Sequence, residues 1–234
     1  MFGGNKRTRI LNIMTKIIKT CTIVLAIGFI HYSYATGYLP ESGDFLFQDL
    51  NCGSMCDGID SVTRGYHNTY VSHVGMIINT NPPEVIEAVS KGVVITPLAK
   101  FLQRSLDQES KPRVMVGRLK LAYRELIPNT IAIARKQIGK PYNSSFIPAN
   151  GKAFYCSELF DYSFREVNNN QPFFHSAPMN FTNGKSSKIL PLWQNYYKPL
   201  HINAPQGLLG TNPGAMSRES MIEIIYFYGQ LRQH

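Results

Sequence analysis

The stretch Val71-Ser72-His73-Val74-Gly75-Met76-Ile77-Ile78-Asn79-Thr80-Asn81-Pro82-Pro83-Glu84-Val85-Ile86-Glu87-Ala88-Val89 decides how this chain folds. Two β-branched, apolar runs flank a cluster of Asn and Pro, the pattern of two strands joined by a turn. Period-two alternation puts Val71, His73, Gly75 and Ile77 on one face of the first run, and Ser72, Val74, Met76 and Ile78 on the other. A further run, Gly92 to Thr96, follows the turn Ser90-Lys91-Gly92. Residues 71–96 therefore read as an antiparallel meander. A hairpin centred on Asn79-Thr80-Asn81 would set His73 and Glu87, each seven residues from Thr80, directly opposite each other on one face. Glu87 lies between Val85 and Val89 on its own face, and a carboxylate buried there is costly without a partner. It is either the group that orients the His73 ring or an exposed edge glutamate. Gly75 removes a side chain beside the imidazole and leaves room for another element, such as a helix terminus carrying a thiol.

Outward from the meander, Gly43 to Gln48 reads as a strand, about Met55 to Thr63 as a short helix, Leu98 to Ser105 as another, and Arg113 to Leu119 as a strand. Ile127 to Ile138 is helical until Gly139 and Pro141 stop it. Cys156 to Val167 is the clearest helix, with Cys156, Leu159, Phe160, Ser163, Phe164 and Val167 along one stripe. Residues 173–220, rich in Asn, Pro, Gly and Ser, carry no assignable pattern. Met221 to Tyr228 reads as a final strand. The expected class is α+β, an antiparallel sheet with helices packed on it.

The first 35 residues stand apart. They hold Lys6, Arg7, Arg9, Lys16 and Lys19, no acid, and a short apolar run from Cys21 to Ile30 ahead of Ser33-Tyr34-Ala35. This is the pattern of a secretory signal peptide cut near Ala35, and the run is shorter than the roughly 20 residues a membrane span needs. The expectation is an exported protein, periplasmic or extracellular, with one domain over 36–234 and no stable span after cleavage. Of the net charge of +9, five positive charges belong to the leader, leaving +4. No block of clustered Lys and Arg remains, so nucleic acid is not an expected partner.

Three cysteines follow the leader. Cys52 and Cys56 lie four apart and either close a small disulfide loop or start a helix unpaired; Cys156 is left over. A zinc site from that pair with His67 and His73 lacks a second Cys or His pair at finger spacing, and neither metal nor cofactor is expected. Cys156 opens a helix. Free cysteine is most often a small buried hydrophobe, and 156 lies on the apolar stripe. A thiol at a helix start is also placed to become a nucleophile. The helix terminus is worth only about 0.3–1 kcal/mol to a nearby negative charge, so a reactive thiolate needs a further partner. His73 and Glu87 would supply it in the order of a Cys-His-acid triad. The Cys156 backbone N–H and Tyr142, in the loop that leads to the helix, are candidate oxyanion donors. The alternative for Tyr142 is an aromatic loop anchor.

Five stretches taken in order, Ser42-Gly43-Asp44-Phe45-Leu46-Phe47, Ser72-His73-Val74-Gly75-Met76, Val85-Ile86-Glu87-Ala88, Gly139-Lys140-Pro141-Tyr142 and Phe154-Tyr155-Cys156-Ser157-Glu158-Leu159, resemble the circularly permuted papain-like amidases of the YaeF/YiiX group, within the NlpC superfamily. Gly210-Thr211-Asn212-Pro213-Gly214 is also similar to that group. The resemblance runs over about residues 40–228. It implies a permuted papain-like (NlpC-type) fold in which histidine and acid precede the cysteine, with Cys156 as nucleophile, His73 as base and Glu87 orienting it. Asn143 departs from the aspartate expected after that tyrosine. The implied activity is cysteine hydrolysis of an amide or related acyl bond, with a cell-wall peptide the leading substrate. Lipid deacylation or acyl transfer is the alternative, and a binding module with a structural Cys156 is the non-enzymatic one. A lipid substrate predicts a wide apolar groove beside Cys156; a wall peptide predicts a polar cleft.

Overall fold

A computed structural model describes residues 37–182, 184 and 187–234. The expected leader and its cleavage point near Ala35 lie outside these residues. β1 (Phe45–Gln48) is short yet buried throughout, because it lies inside the main sheet with a core on either side. The other strands of that sheet are β2 (His73–Thr80), β3 (Pro83–Val89), β4 (Gly92–Pro97), β5 (Val114–Leu119) and β8 (Ile222–Phe227), in the order β4-β3-β2-β1-β5-β8. Each neighbouring pair is antiparallel. β6 (Ala177–Pro178) and β7 (Leu209–Gly210) form a separate two-stranded ladder. The helices are α1 (Ser54–Val62), α2 (Leu98–Leu102), α3 (Ile127–Arg135), α4 (Cys156–Val167), α5 (Pro191–Tyr197) and α6 (Pro213–Met216).

Alternation along the strands builds two cores. Phe45, Phe47, Val74, Met76, Ile86 and Ala88 face the core that α4 fills with Leu159, Phe160 and Phe164. The Phe160 and Phe164 rings pack against Phe45 at 5.6 and 5.9 Å. Each fully buried ring contributes about 1.5–3 kcal/mol. The other face carries Leu46, Ile77, Val85, Val114 and Val116, covered by Leu98 and Phe101 of α2. A third apolar cluster, Phe181, Trp193 and Tyr197, packs with Met55, Ile59 and Val62 of α1.

The meander forms as expected, with a different register. Met76 pairs with Ile86, Ile77 with Val85 and Thr80 with Pro83, with a shift between Ile77 and Asn79. The two-residue turn is Asn81-Pro82, so the hairpin centre falls beyond Thr80. Carried on from Met76 and Ile86, the register sets Glu87 opposite Gly75, and His73 is its diagonal neighbour on the same face. Direct opposition of His73 and Glu87 is thereby corrected. Val71 also leaves the face assigned to it. The strand begins at His73, and the chain bends where the Ser72 N–H bonds the Gln48 carbonyl, so Val71 joins the core of Val74 and Met76. The space at Gly75 is not taken by the thiol-bearing helix: a Cβ there would meet Val85 at 2.6 Å and Phe101 of α2 at 2.9 Å.

The segment 173–220 contains α5, α6 and the small ladder, which periodicity did not reveal because each piece is short. α3 stops at Arg135, three residues before its expected end, and α2 at Leu102.

Candidate active site

His73 opens β2 and Glu87 lies near the end of β3, both on the face covered by Phe101. The His73 Nε2–H donates to Glu87 Oε2 at 2.7 Å. Glu87 is fully buried, and its remaining acceptor capacity is filled. Arg104 Nη1 donates to Oε2 at 2.6 Å, Arg104 Nη2 donates to Oε1, and the Thr96 hydroxyl donates to Oε1 as well. The fork of two guanidinium bonds on one carboxylate is the strong, geometry-fixing form of an ion pair. Phe101 lies 5.8 Å from the His73 ring and 5.2 Å from the Arg104 guanidinium carbon, and the His73 and Glu87 side chains are buried while the Arg104 side chain keeps contact with water.

Burial alone would lower the His73 pKa, but hydrogen bonds to Cys156 and Glu87 and the Glu87 charge hold it up to about 9. Burial alone would raise Glu87, but its bonds to His73 and Arg104 pull it down to about 2. His73 and Glu87 thus form an imidazolium–carboxylate pair at neutral pH. With Nε2 committed to Glu87, Nδ1 is the ring nitrogen left for the Cys156 thiol, which is within hydrogen-bond reach of the imidazole.

Cys156 is the first residue of α4, and among the described residues it is the free cysteine. Its place is set by local chemistry. Glu158 Oε2 accepts the Tyr155 N–H at 3.2 Å, reaching back to the residue before the helix. Glu158 Oε1 accepts the Ala149 N–H, and Oε2 accepts Asn143 Nδ2 at 2.9 Å. Asn143 also donates to the Ile147 carbonyl at 2.7 Å. The departure from aspartate at 143 now has a reason: this position donates to a buried carboxylate, and a second carboxylate there would repel it.

The loop 139–143 is stitched in from both sides. Lys140 O accepts the Val93 N–H at 2.9 Å, beside Gly92, where a Cβ would come within 2.3 Å of that same oxygen. Asn143 N bonds Phe154 O, and Phe154 N bonds Pro141 O. Tyr142 is thereby held alongside the start of α4. Burial, and after it the Cys156 charge, raises the Tyr142 pKa, so its phenol stays a proton donor. The first N–H groups of α4 have no partners within the helix and lie at the thiol.

Beside Cys156 opens a cavity of about 230 Å³. Its wall includes Tyr142, Phe146, Tyr155, Met179, Phe181 and Trp193, with Ile59 and Val62 of α1 on one side. Phe146 has φ +57°, a conformation that a bulky residue rarely adopts. Its ring lies 5.5 Å from Tyr155, 5.9 Å from Tyr196 and 6.3 Å from Trp193, and these contacts hold the backbone there. α1 is fastened at its start by a disulfide between Cys52 and Cys56.

The structure thus brings Cys156, His73, Glu87 and Tyr142 to one place. Sequence reasoning missed Thr96 and Arg104. Thr96 stood in a run already read as a strand, and Arg104 inside the run read as a short helix over Leu98 to Ser105, which the structure ends at Leu102; nothing in either pattern points at Glu87. His67 lies apart, stacked on Tyr66. Among the described residues, no group of three or more His, Cys, Asp or Glu is placed to hold a metal ion.

No curated protein matches the chain. The crystal structure of the metalloprotein yiiX from Escherichia coli O157:H7 superposes with a TM-score of 0.62 at 22% identity, over 81% of this chain and 98% of that one. This likeness establishes the fold: a mixed α+β, permuted papain-like architecture. A family model described as permuted papain-like amidase enzyme, YaeF/YiiX, C92 family, matches residues 39–226. Its span takes in both strands of the His73–Glu87 pair and the whole helix that begins at Cys156, and the chain belongs to that family of papain-like amidases.

Proposed function

We propose that the protein hydrolyses an amide or related acyl bond, with Cys156 as nucleophile, His73 as proton carrier and Glu87 as the group that orients it. The observation that carries this reading is the unbroken chain of partners from Cys156 through His73 and Glu87 to Arg104. Because the imidazolium already carries a proton on each ring nitrogen, Cys156 Sγ attacks the carbonyl carbon as the thiolate paired with His73 Nδ1–H. The carbonyl oxygen becomes an oxyanion, met by the N–H groups at the start of α4 and by the Tyr142 hydroxyl. The tetrahedral species collapses as the C–N or C–O bond breaks, and His73 returns the proton to the leaving amine or alcohol. Water then adds to the thioester, His73 taking its proton, and the acid leaves as the thiolate–imidazolium pair is restored. Arg104 keeps Glu87 ionised and in place, so that the imidazole keeps one orientation throughout.

We place this chemistry outside the cytoplasm, in line with the leader pattern and with the Cys52–Cys56 disulfide, which persists in oxidising compartments. The bond cleaved is an envelope amide or a lipid-type acyl bond. The test is incubation of the mature protein and of Cys156→Ala with peptidoglycan and with phospholipid. Product from the first protein and none from the second is expected, together with an acyl adduct on Cys156 by mass spectrometry. Equal product from both would remove Cys156 from the mechanism.

A further inference from the structure

We infer that the cavity beside Cys156 is a receptor for an uncharged, short acyl group that carries a hydrogen-bonding atom, and so selects neutral acyl substrates over charged peptide termini. The inference rests on Cys156 as the attacking group, because the cavity is defined by its position at the thiol. Among the described residues, no Asp, Glu, Lys, Arg or His lines it. A buried charge without a partner is strongly disfavoured. A cell-wall stem peptide presents free carboxylates and ammonium groups, for which this wall offers no counter-charge.

Two observations beyond the apolar wall point to a ligand. Ser157 and Trp193 both line the cavity and are 0% and 2% exposed. Ser157 Oγ and Trp193 Nε1 have no hydrogen-bond partner among the described residues. Buried polar atoms are normally satisfied, and each orphan carries a desolvation cost that a bound acceptor would recover. A purely hydrocarbon occupant would leave both unsatisfied. An acyl group with an uncharged oxygen or nitrogen satisfies them while its carbons lie against Phe146, Met179 and Phe181. The size sets the length. At about 230 Å³ the cavity lies below the usual range for a drug-sized ligand, so it has room for a short acyl chain rather than a whole membrane lipid.

Trp193 is the one tryptophan of the chain, so its emission reports the cavity directly and without turnover. The experiment is a fluorescence titration of Cys156→Ala with acetamide, hexanamide and glutaramate at pH 7, paired with hydrolysis of the acetyl, hexanoyl and glutaryl p-nitrophenyl esters by the wild-type protein. Saturable change with hexanamide is expected, at least about tenfold tighter than with acetamide or with the charged glutaramate. Ser157→Ala should weaken hexanamide about two- to tenfold without lowering Tm, since the hydroxyl it removes is buried and has no partner among the described residues. Trp193→Phe, read by ligand-induced thermal shift, should weaken it similarly. Glutaramate binding as tightly as hexanamide, or no saturable response to hexanamide, overturns the inference. Loss of the triad reading is a separate result: ester hydrolysis by Cys156→Ala equal to wild type, with the titration still deciding the cavity.

Discussion

The two halves of the site are built on opposite principles. On the strand side, Glu87 is buried and every partner it can use is in place: His73, Thr96 and both arms of Arg104. On the cavity side, Ser157 and Trp193 are just as buried and their polar atoms are unpartnered. A saturated network holds one geometry and one charge state; an unsaturated wall gains most when something else fills it. The first half is therefore complete in the free protein and the second is completed by a ligand. Substitutions in the first should show in stability and catalysis together, and substitutions in the second chiefly in binding.

The sharpest way to break that contrast is Glu87→Ala. It leaves the imidazolium and the half-buried Arg104 guanidinium without their shared counter-charge, and removing one partner of a buried pair costs about 3–5 kcal/mol. At about 2–4 °C per kcal/mol for a chain of this size, Tm measured by calorimetry should fall by roughly 6–20 °C. An unchanged Tm would mean that the network does not hold the sheet.

The pH dependence of stability follows from the same pair. His73 is held above its unfolded value near 6.5, so its contribution is full below that value and is lost as pH rises through about 9. Glu87 is held below its unfolded value near 4.5, so its contribution is full above that value and is lost as pH falls through about 2. Tm should be greatest between about pH 5 and 6.5 and decline on both sides. In Glu87→Gln the alkaline decline should move to lower pH, because the imidazolium has lost its carboxylate. A wild-type Tm that rises from pH 7 to 9 would contradict the pair.

Tyr142 sits on the border between the halves. Tyr142→Phe removes only the hydroxyl and should lower kcat about a hundredfold if that hydroxyl meets the oxyanion, with KM little changed. A change confined to KM would assign the residue to the cavity wall instead.

The smallest effect belongs to the disulfide that fastens the α1 wall. Replacing both Cys52 and Cys56 with Ser opens a four-residue loop and should cost about 2 kcal/mol or less on the chain-entropy account. Ligand binding read from Trp193 should weaken more than the hydrolysis of a small acetyl ester, which does not need the far wall. Equal loss of both would tie α1 to the catalytic half.

Much of this was legible in the residues. The stripe from Cys156 to Val167 predicted α4 to the residue, because a twelve-residue amphipathic helix repeats its signal several times over. The alternation through 71–96 predicted the meander and the shared face of His73 and Glu87. It misplaced their register by fixing the hairpin at Thr80, because one bulge and a two-residue turn at Asn81-Pro82 shift the pairing without altering the pattern. Arg104 and Thr96 were invisible because their meaning lies in a partner up to 17 residues away across a fold. The cavity was more hidden still. Its wall is gathered from α1, the loop before α4, the start of α4, segment 177–181, α5 and residues 210–213, and no periodicity connects those pieces.

The sequence by itself determined the class of fold and singled out Cys156, the free cysteine among the described residues, with His73 and Glu87 as its candidate partners, because strand and helix periods and cysteine spacing are local facts. Only the tertiary structure decided that Glu87 is fully saturated by Arg104 and Thr96, that Asn143 is a donor to Glu158, and that the thiol opens onto an uncharged cavity. Charge state and cavity shape are properties of neighbours in space, set by burial and by which elements pack together, and a chain read in one dimension does not carry them.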